Sequence, residues 1–372
     1  MKPSIMDLAT LVLAAATAIA NAQTVRGRGV PPVVDPTTIH YMPAEEDYHE
    51  GTWLQWPHNY GWDKNHVKRY EESWVKMTEA LHTGEKVHII CYNANEKTRI
   101  NTLLGERNVN LDQVTFHVWK TDDVWVRDSG PIFTYDENDE LKVQDWKFNG
   151  WGNKADYALD DVIPKQVATY TKLPRIDVPM TNEGGSIEVD GNGTLMAKRS
   201  SILNSNRNRG LTQAGAEAYF RKYLGVENFI WLDGDKGGDI TDDHIDGTAR
   251  FAPGNTIVTH YRNDFLKPSE YDVLTKARNV NGQLYNIVSL PLTQMIVPGV
   301  NDYGVYINYY VGNDVVIIPT YNDPSDQVAI NILKKVYRTR RMVGIDFVEL
   351  YKDGGLAHCV TQQQPVAARR RE

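Results

Sequence analysis

The chain has 372 residues, of which 41% are hydrophobic and 24% are charged, a composition typical of a folded globular protein. Disordered, collagen-like and coiled-coil chains are excluded. Its 48 acidic and 40 basic residues give a formal net charge of −8, opposite in sign to the basic surface that nucleic-acid binding requires. We therefore expect no nucleic-acid partner, and a cationic small substrate suits this charge better.

The first 22 residues have the pattern of a secretory signal peptide. Lys2 precedes an apolar run from Leu8 to Ala20, and Ala20-Asn21-Ala22 forms an A-x-A cleavage site. The alternative is a transmembrane anchor, but 13 residues are too few to span a bilayer. The pattern predicts a secreted, extracellular protein that has no membrane association once residues 1–22 are removed.

The rest of the chain divides into a central domain and two loose ends. Residues 23–40 are rich in Pro, Gly and Val without periodicity, and residues 367–372 form a polar, basic tail. Residues 41–366 alternate between helical and strand patterns. We therefore predict a single domain over 41–366.

Along this domain, the helix patterns recur at nearly equal spacing. The first predicted helix runs from Asp63 to Gly84, with one apolar face made of Val67, Tyr70, Trp74, Met77 and Leu81. Four further helices are predicted to begin near Asp156, Thr212, Ser269 and Ser325, at separations of 56, 57 and 56 residues. Such a period is typical of a repeated architecture.

Strand patterns accompany each of these helices. A strand is predicted after each helix, at residues 86–91, 175–178, 228–232, 285–290 and 344–350. Paired strands with turn residues between them are predicted over 186–197 and 305–319. Five similar units, each with several strands and one helix, follow from this alternation, and we predict an α/β fold of one domain.

Two polar segments present carboxylates between apolar strands. In residues 121–131, Asp128 comes before a Ser-Gly-Pro turn, where an aspartate either caps the turn or serves a site. In residues 181–194, Glu183 precedes a pair of glycines that permit close backbone approach. Neither segment by itself distinguishes a functional site from an ordinary turn.

A third segment, residues 237–251, concentrates aspartates around a histidine. His244 and Asp246 are two residues apart, so that in an extended chain both side chains lie on one face. This pair suits either metal ligation or general acid/base catalysis beside a carboxylate that binds a cation. The alternative is a solvated acidic loop.

The two cysteines of the chain have different surroundings. Cys91 lies in the apolar run 86–91, whereas Cys359 follows a Gly-Gly turn beside His358 and a run of glutamines. Two cysteines in a secreted protein form a disulfide by default, but this contrast argues against a Cys91–Cys359 bridge. Cys359 has the polar setting of a nucleophile. No cluster of cysteines and histidines has the spacing of a zinc site, so no metal is predicted.

Six segments together resemble the agmatine deiminase and Porphyromonas-type peptidylarginine deiminase family, from about Met42 to Pro365. The segments are residues 42–58, 124–131, 145–152, 182–195, 242–251 and 354–365. The resemblance implies a pseudo-fivefold α/β propeller of the pentein type, which agrees with the five predicted units. It also implies that no metal or organic cofactor is needed.

The resemblance further implies catalytic roles for four residues. Cys359 would be the nucleophile that attacks a guanidinium carbon, and His244 would be the general acid/base. Asp128 and Asp246 would hold the guanidinium nitrogens through charge-assisted hydrogen bonds. The implied reaction is hydrolytic deimination through a thiouronium on the cysteine, with release of ammonia.

Two substrate-binding residues and two substrate classes follow from the same resemblance. Trp125 would lie along the aliphatic stem of the substrate, and Asn308 is carried over from the segment YINYYVGN. Residues 145–152 resemble the branch that converts agmatine to N-carbamoylputrescine, and they lack an arginine pair for a terminal carboxylate. The signal peptide favours arginine-containing peptides or proteins, whose arginine would become citrulline.

A third alternative is a secreted module that binds guanidines without catalysis. The presence of the nucleophile, the acid/base and both carboxylates argues against it. Agmatine is the favoured substrate, with peptidylarginine next. The oligomeric state is left open by the sequence.

Overall fold

The computed structural model describes residues 40–61 and 63–367, all of which lie within one unit, Val34–Glu372. The predicted signal peptide, residues 1–22, lies outside the described residues, as do residues 23–39 and 368–372 of the two loose ends. Among the described residues, no helix is both long and apolar enough to cross a bilayer.

The strands are short and follow one another closely along the chain. In order they are β1 His40–Tyr41, β2 His49–Gln55, β3 Lys86–Cys91, β4 Val114–Val118, β5 Ile132–Asp136, β6 Leu141–Lys147, β7 Arg175–Thr181, β8 Ile187–Val189, β9 Thr194–Lys198, β10 Asn228–Leu232, β11 Ala249–Ala252, β12 Thr256–His260, β13 Asn286–Leu290, β14 Leu292–Ile296, β15 Tyr303–Val305, β16 Tyr310–Val311, β17 Val315–Thr320, β18 Arg341–Asp346 and β19 Gln362–Pro365.

The helices include several that are only one turn long. In order they are α1 His66–Leu81, α2 Ala94–Glu106, α3 Val126–Ser129, α4 Gly150–Asn153, α5 Ile163–Thr171, α6 Arg199–Ile202, α7 Gln213–Leu224, α8 Pro268–Lys276, α9 Pro324–Val336 and α10 Val348–Tyr351.

Five sheets share one strand pattern, in which an antiparallel pair is extended by a parallel strand. The five sets are β19-β2-β3, β5-β6-β7, β8-β9-β10, β11-β12-β13 and β16-β17-β18. In each set the last two strands are joined through a helix, as parallel neighbours require. The structure therefore has a mixed α/β fold built from five similar units.

The apolar face of α1 shows how the helices cover the sheets. Tyr70, Trp74, Met77 and Leu81 are fully buried in the largest hydrophobic cluster, while Val67 is half-buried. Burial of each such large apolar side chain contributes about 1.5–3 kcal/mol to folding. The predicted apolar face is thus confirmed except at its first residue.

Two predicted elements coincide closely with the structure. The strand predicted over 228–232 is β10, and the helix predicted from Thr212 is α7. Thr212 caps that helix, because its hydroxyl oxygen accepts a hydrogen bond from Gly215 N at 3.1 Å.

The helix predicted from Asp156 begins only at Ile163. Pro164 lies in its first turn, where its fixed φ angle favours helix initiation. The preceding residues form a turn instead, in which the Asp160 carboxylate accepts a hydrogen bond from Asp122 N at 2.9 Å. The start of this helix is therefore indicated better by Pro164 than by Asp156 as a capping residue.

The last predicted strand, 344–350, is displaced. The strand is Arg341–Asp346, and Val348–Tyr351 form one helical turn whose first N–H donates to Asp346 Oδ1 at 2.8 Å. Helix α2 was not predicted, although Asn93 caps it by accepting a hydrogen bond from Glu96 N at 2.9 Å.

Each of the five units begins with a short polar segment just before its first strand. These segments are residues 126–129 before β5, 184–186 before β8, 245–247 before β11, 306–309 before β16 and 358–360 before β19. The same position in five similar units thus supplies the side chains described next.

Candidate active site

A cavity of about 900 Å³ is lined mainly by acidic and aromatic side chains. Its charged lining residues are Asp122, Asp123, Asp128, Asp156, Asp353 and Lys154. The ammonium of Lys154 donates to Asp242 Oδ2 at 2.8 Å, so its charge is matched by a carboxylate outside the lining. The cavity therefore favours a cationic ligand.

Cys359 lies at the wall of this cavity, in the single turn His358–Val360. Its Sγ is 3.4 Å from Asn308 Oδ1 and 3.8 Å from Asp246 Oδ2. Burial raises the pKa of the Cys359 thiol well above its usual value, and the charges of Asp246 and Asp128 raise it further. In the ligand-free protein the side chain is a thiol at neutral pH.

Asp128 lies on the one-turn helix α3 and is buried. Its Oδ2 accepts a hydrogen bond from Trp151 Nε1 at 2.8 Å, and its Oδ1 accepts one from Gly185 N at 3.0 Å. Burial raises the pKa of Asp128 above the ordinary range, although the charge of His244 opposes that rise. Two fixed donors thus orient this carboxylate.

Asp246 lies in the turn Ile245–Gly247. Its Oδ2 accepts a hydrogen bond from His358 Nδ1 at 2.8 Å. Burial alone would raise the pKa of Asp246, but the hydrogen bond and charge of His358 lower it below the ordinary value. Asp246 is therefore a buried carboxylate held in its ionised form.

His244 is placed between two carboxylates. Its Nε2 is 3.1 Å from Glu183 Oε2, and its Nδ1 is 3.6 Å from Asp128 Oδ1. Burial lowers the pKa of His244, but the charge of Asp128 and the hydrogen bond with Glu183 raise it to about 9. Glu183 is itself held by Arg207, whose Nε donates to Oε1 at 2.9 Å.

Gly185 stands where three of these side chains converge. A Cβ atom added there would lie 2.8 Å from Asp128 Oδ1, 2.8 Å from His244 Nδ1 and 2.9 Å from Asp246 Oδ2. Real Cβ atoms do not tolerate such contacts. The absence of a side chain is thus what lets two carboxylates and an imidazole surround one point.

Two tryptophans form the aromatic part of the cavity. Trp125 packs against the backbone of Gly355, where an added Cβ would be 2.1 Å from the indole ring. Trp151 meets it edge to face, with ring centroids 6.4 Å apart. Trp151 lies in a turn where four consecutive residues have positive φ, from Gly150 to Asn153, a backbone strain often found at functional sites.

Asn308 supports the turn that carries Cys359. Its Oδ1 accepts a hydrogen bond from His358 N at 3.0 Å and faces Cys359 N at 3.4 Å. Its Nδ2 donates to the carbonyl of Asp246 at 3.4 Å. Asn308 therefore links the two turns, in addition to lying near the sulfur.

The structure brings the predicted site residues together, although they come from four separate segments of the chain. Those residues are Cys359, His244, Asp128, Asp246, Trp125 and Asn308. Their catalytic and binding roles stay predictions.

Sequence reasoning gave no role to Glu183, Trp151 or His358, all of which contact these residues. The Glu-Gly-Gly sequence could have pointed to Glu183 as a site residue, and the glycines on either side of Trp151 could have pointed to Trp151. His358 had only its position beside the cysteine.

Comparisons with known proteins agree with this geometry. The sequence model described as "Porphyromonas-type peptidyl-arginine deiminase" matches residues 41–365. A relative from Legionella pneumophila is 32% identical over 337 residues, covering 87% of this chain and 94% of the relative. The agmatine deiminase of Stutzerimonas stutzeri is 29% identical over 357 residues, covering 88% of this chain and 95% of the relative.

A solved structure supports the fold. The agmatine deiminase of Enterococcus faecalis superposes with a TM-score of 0.78 at 23% sequence identity, covering 91% of this chain and all of that one. At this identity the likeness concerns the fold alone.

Proposed function

Because the chain belongs to the Porphyromonas-type peptidyl-arginine deiminase family, we propose that it hydrolyses a guanidino group to a ureido group and ammonia. One arrangement supports this proposal: the thiol lies 3.8 Å from the buried carboxylate of Asp246, and that carboxylate, a second carboxylate and a histidine converge beside Gly185. The relatives imply a hydrolase that acts on carbon–nitrogen bonds.

Substrate binding is proposed to rest on Asp128 and Asp246. A guanidinium is planar, carries five or more N–H donors and remains protonated at neutral pH. Two carboxylates on opposite sides can accept its hydrogen bonds in pairs and offset the cost of burying its charge. Trp151 and Gly185 fix the orientation of Asp128 before the substrate arrives.

Activation of the thiol follows from the same charges. Asp246 and Asp128 raise the pKa of Cys359 in the ligand-free site. A bound guanidinium neutralises both carboxylates, so their effect on the thiol is cancelled and the thiolate becomes easier to form. Substrate binding would thus create its own nucleophile.

The first half of the reaction is an attack of the Cys359 thiolate on the guanidinium carbon. The Cys359 thiol first loses its proton to solvent, and the C–S bond then forms while the positive charge of the guanidinium is discharged, which gives a neutral tetrahedral adduct. His244, protonated below pH about 9, donates its proton to one amino group, whose C–N bond then breaks to release ammonia. A thiouronium cation on the sulfur remains, and His244 is neutral.

The second half uses the neutral imidazole as a base. His244 takes a proton from water as the oxygen attacks the thiouronium carbon. The C–S bond then breaks while the remaining O–H proton of the adduct passes to the sulfur, which releases the ureido product and restores the thiol. The sum consumes one guanidinium and one water and yields one urea derivative and one ammonium ion. Every step uses residues of this chain and water.

Agmatine is the substrate that the cavity favours. It keeps the ammonium group of arginine but lacks the carboxylate, and the cavity lining contains four aspartates besides Asp128. Among the residues that the structure describes, Lys154 is the one basic lining residue, and it already donates to Asp242. A second positive charge is therefore better accommodated than a terminal carboxylate.

Peptidylarginine remains a second candidate because of the N-terminal pattern. We propose that residues 1–22 direct export and that the protein acts outside the cell, where arginine-containing proteins are abundant substrates. Expression of the full chain followed by N-terminal sequencing tests this. Export predicts extracellular protein that begins at Gln23, whereas intracellular protein that retains Lys2 would contradict it.

The repeated units support a cyclic arrangement. We propose that the five strand sets form a pseudo-fivefold propeller with the site on its axis. Five equivalent segments contribute residues to one site, as expected if the units are arranged around a common axis. A crystal structure in which successive units are related by rotations of about 72° would establish it.

The deciding experiment measures ammonia release from agmatine, free arginine, an internal arginine peptide and a C-terminal arginine peptide in one buffer. We expect the highest kcat/KM for agmatine, then for the internal arginine, with Cys359→Ala as the inactive control. Preference for the arginine peptides would favour the second candidate. Tight binding without ammonia release would instead indicate a guanidine-binding module.

A further inference from the structure

His358, the residue before the candidate nucleophile, is held on both sides by carboxylates. Its Nδ1 is 2.8 Å from Asp246 Oδ2, and its Nε2 is 2.8 Å from Glu45 Oε2. The side chain is 1% exposed. The reaction proposed above gives this buried ring no part.

Ionised carboxylates accept hydrogen bonds but donate none. Burial would raise the pKa of Glu45, yet the charges of Arg250 and His358 hold it well below its usual value, and the pKa of Asp246 is lowered too. Each ring nitrogen of His358 thus lies within hydrogen-bond distance of a buried carboxylate.

Glu45 is a firm anchor for this ring. Its Oε1 forms an ion pair with Arg250 Nη2 at 2.9 Å and accepts a hydrogen bond from Val311 N at 2.9 Å, and its Oε2 accepts one from Arg127 Nη2 at 3.2 Å. A carboxylate with so many fixed donors cannot rotate without losing several of them.

The backbone of His358 is fixed as firmly as its ring. Its N–H donates to Asn308 Oδ1 at 3.0 Å, and its carbonyl accepts from Arg127 Nε at 3.3 Å. With both ends constrained, the position of Nδ1 is determined independently of Asp246. The ring can therefore set the position of the carboxylate.

We propose that His358 is a positioning residue: Glu45 fixes the ring of His358, and the ring in turn orients Asp246 to receive the substrate cation. The inference rests on the proposed function, because it assigns the guanidinium to that carboxylate. Partners of this kind, which orient a directly binding group, typically change activity by about 10–100-fold when removed.

Two variants separate the two contacts of the ring. The amide nitrogen of asparagine replaces Nδ1, whereas that of glutamine replaces Nε2. His358→Asn keeps a donor for Asp246 and loses the one for Glu45, and His358→Gln does the reverse. Both lose the same buried ring, so similar losses of thermal stability are expected.

The activities should differ. For agmatine, we expect His358→Asn to retain kcat/KM within about tenfold of the parent, and His358→Gln to lose about 100-fold, with a raised KM as the main component. A merely structural role predicts equal losses in the two variants. Equal losses, or greater loss in His358→Asn, would overturn the proposal.

Alkylation of Cys359 gives a second readout that needs no turnover. A haloacetamidine carries a cationic amidinium, whereas iodoacetamide is neutral. In His358→Gln we expect the ratio of the two alkylation rates to fall about tenfold, with His358→Asn near the parent. An unchanged ratio in His358→Gln would contradict the proposed positioning.

Two outcomes are kept distinct by these measurements. If the parent protein releases no ammonia from any guanidine, the proposed function fails, while the alkylation ratio still tests the orientation of Asp246 toward a cation. If a His358 variant fails to fold, Glu45→Gln replaces it, and the same tenfold fall in the ratio is expected because the anchoring charge is lost.

Discussion

Oδ2 of Asp246 lies 3.8 Å from Sγ of Cys359 and 2.8 Å from Nδ1 of His358. One carboxylate oxygen thus faces the sulfur on one side and the buried ring of His358 on the other. The nearby negative charge opposes ionisation of the thiol. A nucleophile that is weak in the empty site and strong beside a bound cation discriminates against reaction with other molecules.

Replacing the two cysteines should have different effects on activity. Cys359→Ala is expected to remove detectable ammonia release while the protein stays folded, because no other cysteine lines the cavity among the described residues. Cys91 is fully buried, and burial raises its pKa to about 12. Cys91→Ala should keep activity within about twofold and lose about 1 kcal/mol of stability from the removed sulfur.

Both measurements use the same preparations. Ammonia release gives the activity, and denaturant unfolding gives the stability. If Cys91→Ala were as inactive as Cys359→Ala, the assignment of the nucleophile would fail.

The carboxylates are expected to be individually necessary. Asp128→Asn and Asp246→Asn should each lower kcat/KM by about 10³-fold, because each leaves half of the guanidinium charge unmatched in a buried site. In Asp128→Asn the new amide also faces either Trp151 Nε1 or Gly185 N, which are both donors.

Asp156→Asn is the matched control for this pair. Asp156 lines the same cavity but is exposed, so the same change of charge should cost less than about tenfold. Equal effects at all three positions would mean that Asp128 and Asp246 act only through their general negative charge and do not bind the guanidinium directly.

The pH dependence should reflect the pair formed by Glu183 and His244. The pKa of His244 is raised from 6.5 to about 9, with the charge of Asp128 and the hydrogen bond of Glu183 opposing burial. Proton donation from His244 to the leaving amino group therefore falls as pH rises through about 9. Glu183→Gln removes one negative charge, so the alkaline limit of kcat/KM should move down by about one pH unit.

The raised pKa of His244 also predicts how the folding stability depends on pH. His244 gains its partners on folding, so its contribution is fully present below pH 6.5 and is lost as pH rises through about 9. Urea unfolding between pH 6 and 10 should show this decline in the parent and a smaller one in Glu183→Gln. An alkaline limit that stays in place in the variant would argue against His244 as the acid.

Gly185 tests the geometry without removing any charge. Gly185→Ala should lower kcat/KM by about 100-fold, because displaced reacting groups cost that much. The added methyl group should destabilise the fold by only about 1–3 kcal/mol. Gly247→Ala is the control, since an added Cβ there meets nothing within 4 Å. Full activity in Gly185→Ala would mean that the three side chains do not act together.

The features predicted correctly from the sequence are those that depend on neighbouring residues. Thr212 and the strand 228–232 were placed correctly because a capping residue and a β-rich run are local signals. Cys359 and His244 were selected by the residues beside them. His358 could not be given a role in this way, because its partner Glu45 is 313 positions away and only the folded chain brings them together.

Strand β19 pairs with β2, and within this pairing Trp53 Nε1 donates to Gln364 Oε1 across 311 positions of the chain. During synthesis from the ribosome, β2 emerges early and β19 late, so one edge of β2 has no partner until nearly the whole domain has been made. Unpaired edges invite association between nascent chains. Because the turn that carries Cys359 directly precedes β19, no partly synthesised chain can present an assembled nucleophile, and chaperone demand should be greatest just before the domain is released.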